Sequence, residues 1–177
     1  DALNTEAFNL IANASLSNDI KIDLIKCLSS NGGIDGMIIG QAIDCYFENQ
    51  KLELNQLEFL HIHKTAKLIA ASLKMGAIIC EYDLQIQEKL FNFGINLGLL
   101  FQIQDDIIDE TCTSVQAGKT THNDSSKNSF VNLLGLDGSI KSADDLALKC
   151  LETLNTFDSN LKESLEQLLL EYINRHK

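Results

Sequence analysis

An all-α fold is what this 177-residue chain predicts, on three observations. It has no proline and only ten glycines. Leu, Ile, Ala, Lys, Glu and Gln fill most of it, a composition that favours helices over strands and tight turns. Its apolar residues recur at helical rather than alternating spacing. With 45% hydrophobic residues the chain has material for one core of ordinary domain size. No shift in composition marks a boundary, so residues 1–177 are expected to form a single helical domain.

The elements follow in order. Apolar positions hold a helical period from Leu3 to Leu16. Ser17-Asn18-Asp19 then supplies a capping signal for a second helix running to about Ser30. Asn31-Gly32-Gly33 ends that helix. A third is predicted from about Ile34 to Phe47. A fourth begins near Asn55, with Glu58 three residues on in capping-box spacing, and continues through Leu73 or beyond. From about Leu84 to Asp109 the chain is apolar nearly all round, the pattern of a central buried helix, and Gly94 and Gly98 would let a neighbour approach closely. Residues 110–129 are Thr-, Ser-, Gly- and Asn-rich, too polar for core and long for a loop in a compact bundle. Two further amphipathic helices are predicted over Ile140–Leu154 and Asn160–Tyr172.

Composition also excludes functions. A formal charge of −11 and a pI near 4.6 argue against nucleic acid, whose phosphate backbone needs a basic stripe. An acidic protein holds a polyanionic small molecule only where metal ions or focused lysines invert the local field. Cys27, Cys45, Cys80, Cys112 and Cys150 are widely spaced and show no C-x-x-C pair, so they read as reduced packing residues of a cytoplasmic protein. The longest apolar stretch, Leu68 to Cys80, is interrupted by Lys74 and is too short to span a bilayer.

The informative residues close the central apolar helix: Phe101-Gln102-Ile103-Gln104-Asp105-Asp106-Ile107-Ile108-Asp109. Steps of three and four put Gln102, Asp105 and Asp109 on one face, with Asp106 four residues after Gln102. Carboxylates crowded at a helix C-terminus repel one another and oppose the macrodipole, at about 0.3–1 kcal/mol for each exposed charge. A divalent cation relieves both, and all-oxygen ligands with open positions suit Mg²⁺ bridging to substrate phosphates. Taken alone, such a cluster is more often a solvated acidic patch. A second cluster, His61-Ile62-His63-Lys64-Thr65, lies within the fourth helix. His61 and His63, two apart, point to different faces and lack the spacing of a metal-binding pair. Lys119, after Gly118, and Lys127 stand among small residues of the polar segment and could contribute point charges to phosphate oxygens.

Together these segments resemble the trans-polyprenyl diphosphate synthase family, in particular its bacterial farnesyl (geranyl) diphosphate synthases. Phe101-Gln-x-x-Asp-Asp-x-x-Asp109 is similar to the family's second aspartate-rich motif, followed at the family's distance by Gly118-Lys119 and Lys127. Gly36-Met37-Ile38-Ile39-Gly40-Gln41-Ala42-Ile43-Asp44 resembles the G-x-x-x-G-Q-x-x-D helix, and His63-Lys64-Thr65 the H-K-T segment. Tyr172 to Lys177 resembles the basic tail.

The resemblance implies an isoprenoid synthase bundle and a condensation of isopentenyl diphosphate with an allylic diphosphate, dimethylallyl or geranyl, to a short prenyl diphosphate such as farnesyl diphosphate. It implies Mg²⁺ on Asp105, Asp106 and Asp109. Lys64, Lys119 and Lys127 would neutralise the leaving group. Gln102 and the backbone carbonyl near Lys64 and Thr65 would face the allylic cation, and Gln41 and Asp44 would orient Lys64. A homodimer is the family's usual assembly. The resemblance covers the chain but only the C-terminal part of the family. The first aspartate-rich motif is absent, so this chain is expected not to turn over unaided. Ala66, Ser126 and Val131 depart from the family's usual glycine, glycine and proline. A non-catalytic truncated subunit and a class I terpene cyclase are the competing readings.

Overall fold

The computed structural model describes residues 2–48, 50–111 and 128–173, with residues 172 and 173 by their backbone only. Among them are helices α1 (Ala2–Asn13), α2 (Asn18–Gly32), α3 (Met37–Tyr46), α4 (Leu54–His61), a π turn (Ile62–Ala66), α5 (Lys67–Ile79), α6 (Leu84–Thr111), α7 (Phe130–Leu154) and α8 (Ser159–Ile173), and no strand. The all-α expectation therefore holds.

Local chemistry sets most ends. Ser17 caps α2 by accepting from the Ile20 amide, as its sequence signal predicts. The fourth helix starts earlier than expected: Glu53, not Asn55, is the cap, and Gln56 returns the bond to the Glu53 amide to complete the capping box. Gln56 stands three residues after the Glu53 cap, the position from which a side chain returns that bond, and Glu58 lies beyond the first turn. The third helix begins at Met37 rather than Ile34, because residues 33–36 form a turn.

The largest departure is α7. Its N-terminus is not Ile140 but Phe130, capped by the Ser129 hydroxyl, which accepts from the Asn132 amide. Gly135, at φ 73 and ψ 169, breaks the helix internally and bends it. That glycine, with Gly138, interrupts the apolar period and hides the first turns from a periodicity reading.

The core is built on α6. Leu90, Phe93, Leu97, Leu100, Ile103 and Ile107 are all at most 3% exposed, packed among α4, the π turn, α7 and α8. On its other side α5 meets α2, where Leu24, Cys27, Leu28, Ala71 and Ile78 with Ile11 form a smaller cluster. Gly94 and Gly98 admit α5 and the π turn to near backbone contact, as the sequence suggested. A Cβ on Gly94 would lie 2.4 Å from Ala70 Cα, and one on Gly98 2.5 Å from Ala66 Cα. Where the family commonly has glycine after Lys-Thr, this chain has Ala66, and Gly98 on the facing helix supplies the room. Cys27 and Cys150 are buried free thiols, and burial pushes Cys150 up to about 12, so it packs as an apolar group. No helix among the described residues is long and apolar enough to cross a membrane.

Candidate diphosphate and metal site

The π turn positions the second cluster. The Lys67 amide donates to the Ile62 carbonyl five residues back, widening the helix at Lys64 and Thr65. Sequence reading expected an unbroken helix here, and no residue type signals the wider turn. α3 presses against it through Gly40, where a Cβ would sit 2.2 Å from Lys64 N and 2.6 Å from Lys64 Cα. That close approach puts Asp44, one turn further along α3, within reach of Lys64. Nζ donates to Asp44 Oδ2 at 2.6 Å, with the two side chains 34% and 33% exposed. Gln41 does not join them: its amide donates to Cys45 Sγ on its own helix at 3.4 Å.

From Thr65 a line of hydrogen bonds runs across α6. The Thr65 hydroxyl donates to Gln102 Oε1 at 3.3 Å, and Gln102 Nε2 donates to Asp106 Oδ1 at 3.1 Å. The Phe130 amide, at the first residue of α7, donates to Asp106 Oδ2 at 2.8 Å. Burial pushes the Asp106 carboxyl up to about 6. The bonds from Phe130 and Gln102 oppose that rise, while the neighbouring charges of Asp105 and Asp109 add to it.

Residues 128–130 are tied to several elements. The Asn128 amide donates to the Phe47 carbonyl at 2.9 Å, and its oxygen accepts from the Leu52 amide at 3.2 Å. The Phe130 ring lies against His61, centroids 5.3 Å apart. His61 is only 4% exposed and neither ring nitrogen has a well-formed hydrogen bond, the Asn128 backbone giving the charged ring a weak interaction. Burial, with Lys64 nearby, lowers its imidazole to about 4. His63 instead points outward, stacked on Phe59 with Nδ1 2.8 Å from the Phe59 carbonyl. The tie at residues 128–130 depends on partners far away in the chain, whereas Ser129 ahead of Phe130 and Val131 is a helix-start signal that the polar segment obscured.

Asp105 and Asp109 lie half-buried on α6, four residues apart. No group of three or more His, Cys, Asp or Glu among the described residues is arranged to hold a metal ion. The donor set nevertheless fits Mg²⁺, which takes one or two carboxylates and completes its shell with water and phosphate oxygens. Lys119 and Lys127 lie outside the described residues, as does the basic tail from Asn174 onward. A groove of about 370 Å³ between the end of α3 and α4, lined by Ile43, Phe47, Leu52, Asn55, Gln56 and Phe59, contains none of these polar residues.

The bundle is that of the isoprenyl synthases. The geranyltransferase from Helicobacter pylori, solved with magnesium and isoprenyl diphosphate, superposes with a TM-score of 0.89 at 51% identity, covering 97% of this chain and 57% of that one. A family model for polyprenyl synthetases matches residues 1–168, and the chain belongs to that family. The farnesyl diphosphate synthase of Micrococcus luteus is 39% identical over all of this chain and 61% of its own length. That of Escherichia coli is 34% identical over 98% of the chain and 60% of its own length. The chain thus spans about three fifths of the relatives it matches.

Proposed function

We propose that this chain is the diphosphate-binding part of a short-chain trans-prenyl diphosphate synthase that joins isopentenyl diphosphate to dimethylallyl or geranyl diphosphate, with farnesyl diphosphate as product. The observation that carries the proposal is the gathering of Lys64, held by Asp44 in the π turn, beside Gln102 and the aspartates closing α6.

Asp105, Asp106 and Asp109 would hold Mg²⁺, which would supply positive charge to stabilise the departing diphosphate. Lys64 presents an ammonium whose direction Asp44 fixes, so it meets phosphate oxygens without reorganising. Gln102 lies alongside with its amide already aligned by Thr65 and Asp106. Apolar α6 and the packed π turn keep water from the reacting carbon. Lys119 and Lys127 would add cations from the polar segment. A homodimer and a cytoplasmic setting belong to the same reading.

Because the chain spans three fifths of its relatives, ligand binding is the assay that fits it. Thermal unfolding should show a higher midpoint with Mg²⁺ and inorganic pyrophosphate together than with either alone. Saturation at a hundred times Kd stabilises by about 2.7 kcal/mol, which at this size is roughly 5–10 °C. An unchanged midpoint would remove the proposal. With the regions the relatives carry supplied, isopentenyl and geranyl diphosphates should give a linear product, whereas a cyclic one would indicate a cyclase.

A further inference from the structure

One carboxamide, that of Asn128, grips two helix ends at once. Its Nδ2 donates to the Phe47 carbonyl at 2.9 Å, and its Oδ1 accepts from the Leu52 amide at 3.2 Å. Phe47 closes the C-terminus of α3, where helix carbonyls lack intrahelical partners. Leu52, 5% exposed, directly precedes Glu53, the cap of α4. The Gln50 amide donates to the same Phe47 carbonyl at 3.0 Å, so the turn leaving α3 closes on the oxygen that Asn128 holds. The partners fix which way the Asn128 amide points, because a carbonyl needs a donor and an N–H needs an acceptor.

Those two helices carry the two halves of the Lys64–Asp44 pair. Asp44 stands on α3, and Lys64 in the π turn that continues α4. α3 is pressed to that turn at Gly40, against the Lys64 backbone. A helix held at one point can pivot there, and Asp44, one turn beyond Gly40, would then swing past the Lys64 ammonium. Phe47 lies further along, about 10 Å from Gly40 at 1.5 Å of rise per residue. Asp44 therefore sits between two attachments of α3, the contact at Gly40 and the bond from Asn128 to Phe47.

We infer that Asn128 is a positioning residue for Lys64. By holding the end of α3 to the start of α4 it keeps Asp44 in register with the ammonium, and so sets the direction in which Lys64 meets a diphosphate. The inference rests on the proposed diphosphate site and adds to it a residue that acts through backbone bonds. The same stretch reaches α6: Ser129 caps α7, and the Phe130 amide bonds Asp106. Residues 128–130 thus set α3, α4 and the acidic end of α6 against one another.

The experiment measures acetylation of Lys64 relative to Lys26, a lysine on α2 whose side chain is 72% exposed. N128A should raise that ratio about threefold as the pair opens, and D44N should raise it at least as far. Adding N128A to D44N should change the ratio by less than about 1.5-fold, since the pair through which Asn128 acts is already gone. L154A removes core at the opposite end of α7, where Leu154 is 1% exposed, and should leave the ratio at its wild-type value. Binding of inorganic pyrophosphate with Mg²⁺ should weaken about fivefold in N128A, but less than about twofold when N128A is added to D44N.

A ratio unchanged in N128A would overturn the inference. So would a ratio that rises as much in the D44N background as in the wild type, or as much in L154A. Equal weakening of pyrophosphate binding by N128A with and without Asp44 would overturn it too. If N128A does not fold, N128D is held to the same outcomes, for it keeps an acceptor toward Leu52 and loses the donor toward Phe47. Absence of any Mg²⁺-dependent pyrophosphate binding in the wild type would sink the proposed function instead, and the acetylation ratios would still judge whether Asn128 holds the pair.

Discussion

Replacing His61 by phenylalanine should change how stability depends on pH, by an amount the structure supplies. His61 is buried against Phe130, and its imidazole is lowered from 6.5 to about 4 by burial first and by Lys64 second, with Asp44 and the Asn128 backbone opposing. Above pH 6.5 the ring is neutral in folded and unfolded chains alike and contributes no slope. As pH falls below 6.5 the unfolded chain takes up the proton while the folded one resists it, so stability is lost until the folded ring titrates near pH 4. The gap corresponds to about 3 kcal/mol in full, and to about 2 kcal/mol by pH 5. Asp106 acts in the other direction. Its pKa is raised to about 6, so it adds stability as pH falls from about 6 toward its unfolded value. Wild type alone would show a muted slope. The difference between wild type and H61F at each pH cancels what the two proteins share and isolates the imidazole. Urea unfolding at pH 7.5 and pH 5 should therefore find the advantage of H61F larger at pH 5 by about 2 kcal/mol. Any effect of fitting the larger ring beside Phe130 is common to both pH values. Midpoints that move in parallel between the two conditions would refute the reasoning.

G40A should destabilise by about 1–3 kcal/mol in urea unfolding, since its Cβ would overlap the Lys64 backbone and either α3 or the π turn must retreat. It should also weaken Mg²⁺-dependent pyrophosphate binding. I107A, in α6 at 1% exposure, should cost about 2–5 kcal/mol by leaving a cavity while sparing the affinity of whatever protein remains folded. D44N should alter stability by less than about 1 kcal/mol, because the pair with Lys64 is one-third exposed. At low salt and without metal it should strengthen pyrophosphate binding at least about threefold by calorimetry.

The fold was legible where a segment's own residues decide its state. The all-round apolar run into Asp109 announced α6, and Ser17 announced the start of α2. The close approaches at Gly94 and Gly98 were readable because glycine in an apolar helix has few other uses. What could not be read depends on partners distant in sequence. The π turn is wide where Gly40 brings a second backbone against it, and nothing in Ile62 to Ala66 by itself demands that. Phe130 lies at a helix start because its amide and ring both find places, on Asp106 and His61, that no window of sequence contains. For the site, the motif located Asp105, Asp106 and Asp109. The bond from the Phe130 amide to Asp106 Oδ2, across 24 residues of sequence, was not legible in it.

The pairing of Lys64 with Asp44 also bears on how so acidic a chain could hold a diphosphate. At 2.6 Å the ammonium and carboxylate nearly cancel at any distance large compared with their separation, so the pair attracts an approaching anion weakly. Asp44 takes one of the three ammonium donors and leaves the others a fixed direction for phosphate oxygens. On the proposed function Lys64 would contribute aim rather than net charge, and the neutralising charge would have to come with a cation held at the end of α6. Metal-free binding should be feeble and strongly screened by salt, while binding with Mg²⁺ should depend steeply on the metal. D44N separates the two contributions by exposing the full charge of Lys64 while freeing its direction. Tighter binding without metal, alongside a smaller gain on adding Mg²⁺, is the pattern this division of labour requires. If D44N instead weakened binding in both conditions, Asp44 would matter through geometry alone, and the cancellation of charge would count for nothing.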